Sequence, residues 1–137
     1  MVLWVAAGVV LPTWAATAQA QMALSAAINV SGSFRALSQR MAKAYCQQHL
    51  QVMPLAALDV LAKVRKQAQA GAADLAKGST AGAWPADLSR QLEEVQKQYT
   101  VLNTLTATAP SKASAAAVAE QADRMMTAAQ TATESLE

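Results

Sequence analysis

Apolar residues recur at steps of three and four along most of this chain, and no stretch alternates apolar with polar as a strand would. That spacing draws a stripe down one side of an α-helix, which the helix must cover against a neighbour. Four segments carry it. The first spans Leu24–Val52, with Ala27, Val30, Phe34, Leu37, Met41 and Ala44 on one seam. The second spans Pro54–Lys77, with Ala57, Leu61, Val64, Ala68, Gly71 and Leu75. Proline is tolerated at a first helical position, and Gly78 reads as a stop. A loop, Gly78–Pro85, leads to the third segment, Ala86–Thr106, seamed by Leu88, Leu92, Val95, Tyr99 and Leu102. After the break at Pro110, Ser111 is a natural N-cap for a fourth helix carrying Ala115, Val118, Ala122, Met125, Ala129, Ala132 and Leu136. Four such seams joined by short connections specify an all-α, up-down-up-down antiparallel four-helix bundle.

Abundant alanine lets these helices approach closely but gives each little area to bury, so a second chain would add to stability. No Lys, Arg, Asp or Glu precedes Arg35. The opening run Val2–Leu11 has the length of a signal-peptide core, and Ala18-Gln19-Ala20 offers a small-x-small cleavage site, although no basic residue precedes the run. Residues 1–20 are therefore expected to be a signal peptide, and residues 21–137 a single bundle. The rival is an uncleaved membrane anchor, weakened by Pro12, Thr17, Gln19 and Gln21. Both readings export the bundle, as a periplasmic or secreted protein or one anchored by its N-terminal segment.

Several function classes drop out. The net charge of +2 is small and its basic residues are scattered, which argues against nucleic acid. Cys46 is the only cysteine, so neither an internal disulfide nor a cysteine-based zinc cluster can form. His49 has no second ligand candidate at helical spacing, so no metal site is expected. No nucleophile–base pair, phosphate loop or paired acid is readable, so neither an enzyme nor a cofactor is expected. Cys46 could approach its twin if two first helices paired in parallel.

One constellation stands apart in the first helix. At about 100° per residue, Ile28, Ser31, Arg35, Ser38, Ala42, Cys46 and His49 form a second stripe about 80° from the Phe34 seam. Its side chains are small or polar, and Arg35 is its only full charge. Arg40 points about 140° away from Arg35, toward solvent. Such a stripe is expected to pack against a second copy about a two-fold axis, making a dimer through the first helix. Two guanidiniums would then meet, and a small planar oxyanion between them would relieve the repulsion. Gly32, one turn earlier, would let ligand or partner approach the backbone.

The segment Ile28-Asn-Val-Ser-Gly-Ser-Phe-Arg-Ala-Leu-Ser-Gln-Arg-Met-Ala-Lys-Ala-Tyr45 resembles the signature of the N-terminal sensor domain of type IV pili methyl-accepting chemotaxis transducers. It also resembles the periplasmic P-box of nitrate/nitrite sensor kinases. The shared order of Asn, Gly, Arg and a second Arg falls here on Asn29, Gly32, Arg35 and Arg40. The resemblance implies a periplasmic four-helix bundle acting as a dimer. It also implies a nitrate-like ligand on the two-fold axis, held by Arg35 and Gly32.

Asn29, Ser31, Ser38 and Arg40 are the supporting candidates. The expected function is thus an exported sensor-type domain that binds a small inorganic anion and relays it to a membrane receptor or kinase. The alternatives are a ligand-free structural or protein-interaction module, or a fragment of a longer chemotaxis transducer.

Overall fold

The computed structural model describes residues 13–80 and 84–135, with side chains from Leu24 onward except at 79 and 80. Four helices fill that span: α1 (Thr13–His49), α2 (Pro54–Thr80), α3 (Ala86–Thr106) and α4 (Lys112–Glu134). No strand occurs among the described residues. α1 packs along both α2 and α4, α3 closes on α4, and the α2–α3 contact is thinner. The all-α antiparallel bundle expected from the four seams is the fold.

The core is built largely from the seam residues, joined by Tyr45, although Val30 and Gly71 are only half-buried. Phe34, Met41, Tyr45, Val64, Leu75, Leu92, Val95, Leu102, Val118 and Met125 are all fully buried. Phe34 and Tyr99 meet across the bundle, ring centroids 5.8 Å apart. Truncating a core aromatic such as Phe34 to Ala costs about 3–5 kcal/mol. At Gly71 an added Cβ would sit 3.3 Å from Val30 Cγ1 and 3.5 Å from Phe34 Cζ, so the missing side chain lets α2 close on α1. Polar clasps fix the register. Arg65 Nε donates to Asn103 Oδ1 at 2.9 Å across α2–α3, and Gln121 Nε2 to Gln98 Oε1 at 2.7 Å across α3–α4. At the turn end of α1, the buried Tyr45 hydroxyl donates to Thr108 O and bonds Ser114 Oγ at 2.9 Å.

Boundaries depart from expectation at three ends, each for a local reason. α1 begins at Thr13 rather than Leu24, so the proposed cleavage site at Ala18–Ala20 lies inside a continuous helix. The apolar run before it, residues 1–12, lies outside the described residues. At its other end α1 stops at His49 rather than Val52. Val52 N–H bonds Gln47 O at 2.9 Å and Gln51 N–H bonds Gln48 O at 3.2 Å, a Schellman closure with Gln51 at φ 57°. Gly78, read as a stop, lies within α2, which continues to Thr80. Its role is steric, because a Cβ there would collide with the Trp84 ring. α4 starts as expected, with Ser111 capped reciprocally by Ser114. No described helix is long and apolar enough to cross a membrane.

Candidate ligand strip on the first helix

The second stripe of α1 splits in the folded chain. Ser31, Ser38 and Ala42 are buried within one protomer, whereas Arg35 is exposed. Packing of these three small residues against a second copy is therefore corrected. They line the inside of the bundle, next to Gln39 and Cys46, which both bond to α4. Gln39 Nε2 donates to Asp123 Oδ1 at 3.1 Å, and the Cys46 thiol faces Ala115 O at 3.9 Å. Small side chains suit this seam because the facing stripe of α4 is itself Ala115, Ala122, Ala129 and Ala132. Helical geometry alone could not tell an intramolecular alanine-rich seam from an intermolecular one.

Ser38 Oγ donates to Arg35 O at 3.0 Å, so its hydroxyl is used inside α1. Ser31 Oγ is buried without a hydrogen-bond partner. Neither serine reaches the surface on which Arg35 lies.

Asn29, Arg35, Ala36, Gln39, Arg40 and Lys43 are exposed on α1, and Gly32 is half-buried. A Cβ placed on Gly32 would meet nothing within 4 Å. The backbone there is open, and no contact within the protomer demands a glycine. Described α1 contains no Asp or Glu. Every ion pair among the described residues is local to another helix: Lys63–Asp59 in α2, Arg90–Asp87 and Lys97–Glu94 in α3, Arg124–Glu120 in α4. Arg35, Arg40 and Lys43 take part in none of them, so α1 presents three cations outside these ion pairs. An exposed guanidinium keeps its full set of donors for a carboxylate, phosphate or planar oxyanion.

Arg35 and Gly32 share one exposed side of α1, one turn apart. Arg40 lies further round, as its spacing predicted. Sequence reasoning missed Asp123, an acid of α4 that reaches α1 at Gln39, because the α1–α4 register came only with the fold. Among the described residues no three His, Cys, Asp or Glu side chains converge on a metal-sized site. Elsewhere, burial raises the Tyr99 pKa above its ordinary value while the nearby Arg65 charge lowers it, and its hydroxyl has no partner.

The family model PilJ, the type IV pili methyl-accepting chemotaxis transducer N-terminal domain, matches residues 16–133. The chain belongs to this family. The match spans all four helices, so the whole bundle, and not only the motif in α1, is that of a PilJ domain. Membership makes the chain a sensor region of the chemotaxis-transducer type. Comparison with curated proteins and with solved structures returned no match.

Proposed function

We propose that this PilJ domain is an exported, periplasmic sensor region that takes a small oxyanion of the nitrate or nitrite kind between two copies. It passes the resulting change in helix packing to a membrane receptor or kinase. The carrying observation is the pairing on one surface of Arg35, which has no acid partner, with open backbone at Gly32 one turn away. A two-fold axis through that surface would bring Arg35 of each copy together. Removal of water then makes the like charges repel, and a bridging anion offsets the repulsion through two guanidinium forks. The anion favours one pairing of the α1 helices over another, and that differential affinity is the signal. Asn29 and Arg40, both exposed on α1, flank the contact. Ser31 and Ser38 act from inside, by shaping α1.

The test is thermal melting of wild type, Arg35→Ala and Arg40→Ala with nitrate, nitrite, chloride and sulfate. The expected result is a rise in Tm with one oxyanion, lost in Arg35→Ala and largely kept in Arg40→Ala. A flat response to all four would support the second reading, a ligand-free interaction module. That reading is favoured by the burial of Ser31, Ser38 and Ala42 within one protomer, which takes the small residues out of the expected seam between copies. The family match is also compatible with a fragment of a longer transducer, which the coding sequence after Glu137 would reveal.

A further inference from the structure

The end of the bundle remote from the α1–α2 turn is not closed. There Leu24 of α1, the start of α3 and the finish of α4 leave a cavity of about 460 Å³ between them. Its lining is Leu24, Pro85, Asp87, Leu88, Gln91 and Ser135. Small-molecule sites have volumes of about 300–1,000 Å³, and this cavity falls within that range.

Its chemistry is one-sided. Leu24, Pro85 and Leu88 supply apolar walls, and the polar side chains of the lining offer acceptors. Gln91 Oε1 is buried and has no hydrogen-bond partner. Its amide turns on a broad terminal torsion, so the oxygen can meet a donor in the cavity without moving the backbone. Asp87 pairs with Arg90 through Oδ1, which leaves Oδ2 outside that pair. Ser135 Oγ donates to Thr131 O at 2.9 Å, so its lone pairs are left to accept. Ser135 is also the C-cap of α4, where the helix dipole presents its negative end. No Lys or Arg belongs to the lining. The first N–H groups of α3 have no side-chain cap and would attract an anion, but Asp87 in that first turn already supplies the negative charge.

We propose that this cavity binds a small organic ammonium ion. Its N–H groups donate to Gln91 Oε1, Asp87 Oδ2 and Ser135 Oγ, and its alkyl part lies against Leu24, Pro85 and Leu88. A primary ammonium has three donors and no acceptor, the complement of this set. A bare metal ion would leave the apolar walls unused, and no metal-sized cluster occurs among the described residues. The site is separate from the Arg35 strip, since Leu24 precedes Arg35 by about 16 Å along α1. A bound ligand ties the finish of α4 to α1 and to the start of α3, and so favours one arrangement of these helix ends.

Amide NMR of the full chain, titrated with hexylammonium chloride, tests it. Shifts should be confined to the surroundings of Leu24, Leu88, Gln91 and Ser135 and saturate with a Kd of about 1 mM, ordinary for a ligand of that size. Gln91→Leu should weaken binding about tenfold or more, because it removes a hydrogen bond to a charged group. Ser135→Phe puts bulk at an exposed position and should block the cavity with helicity unchanged. Arg35→Ala should bind as wild type does. No saturable shift by about 20 mM, or unchanged binding in Gln91→Leu or Ser135→Phe, would overturn the inference. So would equal binding of hexanoate, which would assign the cavity to anions at the start of α3. Equal binding of hexanol would overturn it too, by reducing the site to an apolar cleft.

Discussion

Gly32→Ala separates the needs of the protomer from those of a ligand or partner. Gly32 lies in the middle of α1, and its φ is not in the positive range that would demand glycine. A methyl group there meets open space, so no clash and no packing gain is expected. What remains is the backbone term. Glycine loses more freedom on entering a helix than alanine does, by about 0.5–1 kcal/mol. For a chain of this length that corresponds to a rise in Tm of roughly 2–4 °C.

The measurement is a pair of melts at low protein concentration, each with and without the oxyanion that shifts wild type. The expected outcome is a variant that is more stable alone yet loses most of the anion-dependent shift. A lower Tm in the dilute variant would refute the open-space argument, because the new methyl would then be meeting something. A higher Tm with an undiminished anion response would remove Gly32 from the ligand site and leave Arg35 to carry it alone.

Two further substitutions probe the fold around the strip. The folded state favours the neutral Tyr99 phenol, so that stability is fully present below about pH 10, the unfolded value, and is lost as pH rises through the higher folded value. Urea unfolding of Tyr99→Phe across alkaline pH should show a shallower loss. Since the hydroxyl is buried without a partner, the variant should be no less stable at neutral pH and up to about 1 kcal/mol more so. A steeper alkaline loss would contradict that reading. Tyr45→Phe should cost about 1–2 kcal/mol in the same assay, because it removes the hydroxyl that ties α1 to Thr108 and Ser114. An unchanged midpoint would mean that water replaces the clasp.

The candidate site was legible only in part. The motif around Asn29, Gly32, Arg35 and Arg40 stood out in the sequence, and the angular separation of the two arginines followed from helix geometry. The destination of the neighbouring small residues did not. Ser31, Ser38 and Ala42 look alike whether they pack inside a protomer or between two, because either partner surface can be alanine-rich. The turn after α1 was hidden differently. Extending the first helix to Val52 absorbed Leu50 and Val52 into a helical pattern, and a Schellman closure at Gln51 lacks the glycine that would have announced it.

Local rules settled the four helices, their seams and the Ser111 cap, since periodicity and capping act within a few residues and need no partner. Gly78 shows the limit of such rules. It resembles a terminator, yet it lies within α2, and its missing side chain leaves the space that Trp84, six residues on, occupies. Which cations lack acids, which serines face inward and which leucines face out were set by the antiparallel register of α1 against α2 and α4. That register depends on contacts between residues far apart in the chain, such as Gln39 with Asp123 and Tyr45 with Ser114. A helix's own sequence determines which residues share a face, and only its neighbours determine whether that face meets protein or water.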